Sequence, residues 1–567
     1  MIIASGTSWS VVESRAFGQL SQTPPVISAA TRVNPLGTEF VECSCAASRL
    51  SVNEVAVIAG VIGVNGVLPY DGVAVGISLN GGATFATTIP TMPYTAPNSD
   101  NLGYGLDTFI SSERDSGRIW FGGLIDTKLR VTFRDPGEST WLNHGYVDHV
   151  HPGSFRDRPS MGVGYLPPAM GTEKVYYLMS KGRPGAGCSG ENPFWCAQTT
   201  VAQPLPIWPT PVLMQPDSPD AGDNPCNYDG WANQPVVLND GTVVVVAADA
   251  DPDLGGRLNE NRPYVIRYVY DETVSPPRQR WFPENGDGIL IGDLSIPPIQ
   301  ATQVSAPSTA TNDAPWGIDR LKCSPSIAVD YSKNPEWVYV AFYARAVAGD
   351  LNQDLNTDIY IARSTDGGAT FLNANIVHLT DQMLGINNAV ARGPDQLVPA
   401  IAVDCSGAVS LVYYDNRNDS DNNYAGDWCD VYYTRIKGIG SANLSVLNPV
   451  RLTPAKFPID ATFLGDYHTL APAGPNAQAI YTAYIAREYD AGSQTWSDRN
   501  CYVRKITPSP CLADLNLNGS ADVGDFDDFV DAFLAEDVGA DLNQDLLVDS
   551  DDVTTFMISY DELEYGE

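Results

Sequence analysis

Before about residue 510 the chain shows no helical periodicity. Apolar positions come in short runs, alternate with polar ones, and are cut by Gly, Pro and Asn, the pattern of short strands joined by turns. One unit recurs: an apolar strand often preceded by Pro, a turn, an aromatic-rich strand, then a third strand that sometimes ends in Gly-Gly. Its clearest copies are PSIAVDYSKNPEWVYVAFYAR (325–345) and PAIAVDCSGAVSLVYYDNR (399–417). Weaker ones span 158–180, 234–249, 107–125 and 466–486, and EVAVIAG (54–60) starts the first. Half-buried strands need neighbours on both faces, and radial stacking of small sheets supplies them while leaving short edges. The expectation is an all-β propeller over 41–508, with seven blades counted and six as the alternative. The last unit, ending CYVRKIT (501–507), is short of a strand. Within the N-terminal segment 1–40, WSVVESRAF (9–17) is the candidate strand to close the ring.

After PSP (508–510) the pattern changes. Two acidic loops are each followed by an apolar helix pattern, DFDDFVDAFL and DVTTFMISY, so 511–567 reads as a small all-α module. Alternate side-chain oxygens at fixed spacing wrap a hard cation, and calcium is the expected cofactor. In the first loop the ligands are Asp514, Asn516, Asn518, the Ser520 carbonyl and Asp525. In the second they are Asp541, Asn543, Asp545, the Leu547 carbonyl and Asp552. Gly519 supplies the turn in the first loop, whereas Leu546 stands there in the second. Asp350, Asn352, Asp354, Asn356 and Asp358 repeat the alternation in the propeller and form a further candidate calcium loop.

The formal charge is −35, from 68 acidic and 33 basic residues. Such a surface repels phosphate backbones and argues against a nucleic-acid partner. No apolar stretch is long enough to span a bilayer. The ten cysteines lack paired CxxC spacing, which argues against a zinc site. Cys188 and Cys196 flank a loop that a disulfide could close, and Cys501 and Cys511 bracket the last boundary. An even number favours an oxidising compartment. The N-terminus has no basic and long apolar signal segment, so a truncated start of an exported, extracellular or cell-surface protein is expected.

SLNGGATF (78–85) and STDGGATF (364–371) resemble the Asp-box, or BNR repeat, of the sialidase superfamily. In that motif the Asp position, Asn80 or Asp366, accepts turn amides, the glycines permit positive φ, and the aromatic ring plugs the sheet. The resemblance implies a propeller whose Asp-boxes are structural and lie away from the binding face. It also implies that this face is built from inner-strand starts and the loops after second strands. The first group holds Asp107, Arg156, Asp157, Arg158, Asp229, Asp395, Asp466 and Tyr467; the second holds Asp249, Arg345, Asp415, Arg417 and Arg487. The family's Phe/Tyr-Arg-Ile-Pro segment is nearest to Phe155-Arg156-Asp157-Arg158-Pro159, which carries an extra residue.

Arg158, Arg345, Arg417 and Arg487 are the candidates for a carboxylated sugar, with Asp415 or Asp466 as general acid and Tyr467 as nucleophile. The competing reading has these arginines pairing with aspartates to hold the blades. His149 and His151 form an HxH pair without a third metal ligand. The C-terminal doubled loop resembles dockerin domains, which implies docking to a cohesin-like partner. Together these give an exported, sialidase-like, glycan-acting propeller tethered by its tail, with a glycan or glycoprotein partner. The alternatives are a non-catalytic surface or adhesion-type propeller and a two-aspartate glycosidase.

Overall fold

The computed structural model describes residues 22, 24–35, 39–62, 72–88, 108–125, 128–138, 142–147, 156–166, 173–182, 194–199, 212–213, 231–250, 261–270, 281–283, 289–290, 325–345, 357–386, 394–419, 428–458, 468–492, 494–497, 499–516, 521–542 and 547–565. Among them, seven antiparallel sheets of four to six strands succeed one another along the chain. Their innermost strands are Glu39–Ala47, Thr108–Ser112, Arg156–Tyr165, Trp231–Val237, Ser326–Asp330, Gln396–Val403 and Thr469–Ala473. Each abuts the next, and the last abuts the first, so the sheets close into a β-propeller.

The ring closes through the N-terminal segment, as the short last repeat requires. Val26–Ile27 and Thr31–Arg32 both pair with Asn500–Thr507, the last strand of the propeller. The segment 9–17 lies outside the described residues. Just before these strands, Gln22 exchanges hydrogen bonds with Arg435 of the sixth sheet.

Second strands such as Val243–Ala250 and Val409–Asp415 are apolar because a sheet covers each of their faces. Stacking is tight where glycines allow it. A Cβ on Gly164 would stand 2.3 Å from Val237 Cγ1 of the next sheet. Both Asp-box turns form as their sequence dictates. Ser364 Oγ donates to Asp366 at 2.5 Å and accepts from the Gly368 amide at 2.8 Å. The Thr370 amide donates to Asp366, and Gly367 and Gly368 take φ of 68° and 81°. Ser78, Asn80, Gly82 and Thr84 repeat this arrangement. Phe371 is buried between sheets, as the plugging role requires.

Antiparallel order fixes two faces. Turns after inner strands share one face with the Asp-boxes, and loops after second strands lie on the other. The C-terminal segment begins on the Asp-box face. Cys511 is bonded to Cys405 in a turn after an inner strand. Gln478 Nε2 donates to Asp514 at 2.9 Å. Cys501 is a buried free thiol, as are Cys43, Cys45 and Cys429; Cys188 lies outside the described residues.

Beyond this anchor come α1 (Val523–Leu534) and α2 (Ser550–Tyr565). Asp522 caps α1 in a capping box with Asp525. Phe529 and Phe556 stack at 4.4 Å in a core shared with Ala513, Ala521, Ala540 and Leu542. The loop spacing of this segment is EF-hand-like and predicts an EF-hand-like module, but its described helical content is two helices and short 3₁₀ turns, which by themselves do not make a pair of EF-hands. No described helix is long and apolar enough to cross a membrane.

Candidate functional site

Of the sequence candidates, Asp107, Asp229, Asp466, Tyr467, His149 and His151 lie outside the described residues, as do positions 350–356 of the acidic loop. Arg156, Asp157, Arg158, Asp249 and Arg345 sit on described strands, but their side chains are outside the description. Asp395, Asp415, Arg417 and Arg487 are placed. Asp395 is buried and accepts the Thr357 amide of the preceding sheet at 2.9 Å. Arg487 donates through Nε to the Ser497 carbonyl at 2.8 Å.

Asp415 and Arg417 bind each other rather than standing open as acid and substrate clamp. Asp415 is buried at the end of its strand and accepts Arg417 Nε at 2.9 Å and Nη2 at 2.7 Å. Arg417 also donates to the Leu384 carbonyl and the Tyr413 hydroxyl, and its guanidinium lies 4.0 Å over the Tyr432 ring. Burial works against this charge, but Asp415 outweighs it and holds Arg417 above the usual arginine range. Leu384 belongs to the turn after the fifth sheet, so this arginine bridges neighbouring sheets.

Directly across the ladder from Asp415 stands Asp430. It is buried and accepts from Arg451 Nε at 2.7 Å, Thr453 Oγ1 at 2.7 Å and Asn418 Nδ2 at 2.8 Å. Two carboxylates therefore lie side by side, each neutralised by its own arginine. Of the two arginines, Arg451 is the more exposed, with about a third of its side chain open to solvent.

Beside them is an aromatic cluster. Trp428, at the start of the strand Trp428–Lys437, meets Trp496 edge-on at 5.5 Å. Trp496 and Tyr489 lie on a small hairpin in the loop after the last sheet's second strand, with ring centroids 5.3 Å apart. Tyr489 is half exposed, and Lys456 Nζ sits 5.0 Å over Trp428. The second-strand rule reaches the loop that carries the hairpin, but Arg487 was the residue taken from it; Trp428 opens a third strand and falls outside the rule. The clustered aromatics of WCDVYY and EYDAGSQTW were the available signal.

A cavity of about 340 Å³ runs among the inner strands of all seven sheets. At the end away from the Asp-boxes, His468 is buried, with a ring nitrogen 3.0 Å from Thr482 Oγ1. Burial pushes its imidazole down to about 4, against a weaker opposing effect of the Val398 backbone. The unfolded chain takes up this proton near pH 6.5 and the folded one only near 4, so stability is full above about 6.5 and falls as pH drops towards 4. We expect about 3 kcal/mol of acid-side loss from this group. Urea denaturation between pH 7 and 4.5 should show a flatter profile in His468→Gln; an unchanged profile would contradict it.

Asp404, Cys405 and Cys511 also bring donor atoms together, but the two sulfurs are bonded to each other. In the C-terminal segment Asp525 accepts the amides of Asn516 and Asp522, and Asp552 those of Leu542 and Asp549. Each carboxylate thereby closes its own acidic loop. Asn518, Ser520, Asn543 and Asp545 lie outside the described residues, and the Asp541 and Leu547 positions flank the second gap.

No family model and no curated protein matches the chain. Among solved structures it is similar to the NanB sialidase from Streptococcus pneumoniae, at 9% identity and a TM-score of 0.34 over 84% of this chain and 70% of that one. It is similar to an α-L-arabinofuranosidase from Fusarium graminearum at 12% identity and a TM-score of 0.31, covering 62% and 92%. A third is an exo-β-1,3-galactanase from Clostridium thermocellum, at 11% and 0.30, covering 61% and 62%. Likenesses of this strength assign neither family nor chemistry to the chain.

Proposed function

We propose that this protein is an exported, seven-bladed glycan-binding propeller whose sugar site is the aromatic cluster and paired carboxylates between the sixth and last sheets. The observation that carries the reading is Trp428, Trp496 and Tyr489 set beside Asp430, Arg451 and Lys456. Flat apolar rings next to charged hydrogen-bonding groups match the apolar and hydroxylated sides of a pyranose. The Cys405–Cys511 disulfide supports an oxidising compartment. In this reading the C-terminal segment binds calcium through Asp514, Asn516, Asp525 and their counterparts in the second loop. It serves as a tether to a cohesin-like partner, through the exposed Val523, Phe526, Leu534, Met557 and Ile558.

A second reading, glycoside hydrolysis, draws support from the adjacent Asp415 and Asp430. It requires a sugar to displace Arg417 or Arg451 from one of them, so that one carboxylate can take up a proton. A glycan array followed by calorimetry tests the first reading. Trp496→Ala is expected to weaken binding at least about tenfold, as loss of a stacking ring costs on the order of 1–2 kcal/mol. Equal binding by the variant would sink the assignment, and hydrolysis of a fluorogenic glycoside panel, abolished in Asp430→Asn, would favour the second reading.

A further inference from the structure

At its Asp-box end the central cavity is lined by Arg49, Arg114 and Tyr331, from the turns after the first, second and fifth inner strands. Carboxylates outnumber basic residues two to one in this chain. Arg118, Arg134, Arg417, Arg435, Arg451 and Arg499 each face one. Arg49 does not. Its Nε is buried without a hydrogen-bond partner among the described residues, and the charged or titratable groups it feels are Tyr331 and the like-charged Arg114. Burial pushes its guanidinium down to about 10.

Arg114 is held in place by neutral groups. Its guanidinium lies 3.9 Å over the Tyr331 ring and donates to Asn239 Oδ1 at 2.6 Å. Tyr331 is fixed in turn by donating to the Val237 carbonyl at 3.1 Å. Nearby carboxylates are committed elsewhere: Glu336 accepts the Asn239 amide, while Glu113 and Asp115 hold Lys174. A second cavity of about 280 Å³ shares Arg114 and Tyr331 with the first and opens the site towards the third and fourth sheets.

A buried Arg49 guanidinium that meets no carboxylate among the described residues costs stability unless something neutralises it, and Arg114 is held beside it on the same cavity. We propose that Arg49 and Arg114 form an oxyanion-binding site at the Asp-box end of the channel, taking a small sulfate, phosphate or carboxylate group. The site lies on the face opposite the aromatic cluster and does not depend on the sugar-binding reading. Planar N–H forks suit such groups, and a protein of charge −35 has little tendency to gather anions nonspecifically.

The test is calorimetry and thermal denaturation of the full chain with sodium sulfate, sodium phosphate or glucuronate, against matched chloride. Wild type should show saturable binding and a rising Tm. Arg49→Gln and Arg114→Gln should each lose at least tenfold in affinity. The general stabilising effect of sulfate on burial is the same in all three proteins and cancels in the comparison. Arg49→Gln without anion should melt no lower than wild type, because it removes an uncompensated charge. The order of affinities separates an inorganic oxyanion from an acidic sugar. Absence of saturable binding to any of the three, or unchanged binding in both variants, would overturn the proposal, as would an Arg49→Gln protein that melts well below wild type without anion.

Discussion

Replacing Arg435 with alanine is expected to destabilise the propeller by about 3–5 kcal/mol, the cost of leaving a buried charge without its partner. Arg435 and Asp404 are both buried, and Nε lies 2.6 Å from Oδ2. The remaining Asp404 oxygen accepts the amides of Ser406 and Ala408, which hold the carboxylate in place when the guanidinium is removed. The same arginine donates to Ser406 Oγ and to Gln22 of the N-terminal segment at 3.0 Å. Its loss therefore loosens the sixth sheet and the strap leading to the ring-closing strands together. Equilibrium urea unfolding measures the effect. A double variant, Asp404→Leu with Arg435→Met, should recover part of the loss, since it removes both charges. A single variant within about 1 kcal/mol of wild type would show that the pair is not buried as described.

The second large effect concerns the Cys405–Cys511 bond, which joins residues separated by 106 positions. Closing a loop of that length lowers the entropy of the unfolded chain enough to stabilise the fold by about 4–5 kcal/mol. Its position concentrates the consequence at the junction with the C-terminal segment. Among the described residues Gln478 also joins Asp514 there, and Cys511 makes a weak contact with the Ala477 carbonyl. Cys405→Ser, or reduction of wild type, should expose the connection around Pro508–Pro510 and release the C-terminal segment on limited proteolysis. The oxidised protein should resist. Equal resistance of both forms, or free thiols at both positions under non-reducing mass spectrometry, would contradict this bond and its role.

Sugar-site affinity is expected to survive reduction, since the aromatic cluster lies on the opposite face from the disulfide. The two large predictions thus read different parts of the architecture. Arg435→Ala weakens the ring itself, whereas loss of the disulfide detaches what hangs from it.

The sequence by itself determined the repeating strand unit, the propeller class, the two Asp-box turns and the change from strands to helices beyond about residue 508. Each depends on local rules: strand alternation, glycines at positive φ, a serine and an aspartate within hydrogen-bonding reach along the chain, and a shift to helical spacing. The need for a ring-closing strand was legible too, but its location was not. Val26–Ile27 and Thr31–Arg32 are too short to stand out and are strands only because the last sheet offers them an edge. Only the tertiary structure decided which charges find each other. Arg417 and Asp415, two positions apart, read equally well as clamp and acid or as an ion pair, and it was the Leu384 carbonyl and the Tyr432 ring that fixed the pairing. Cys405 with Cys511, Trp428 with Trp496, and Arg49 with Arg114 each bring together residues from different sheets or segments. Closure of the ring sets those distances, and no local pattern along the chain encodes them.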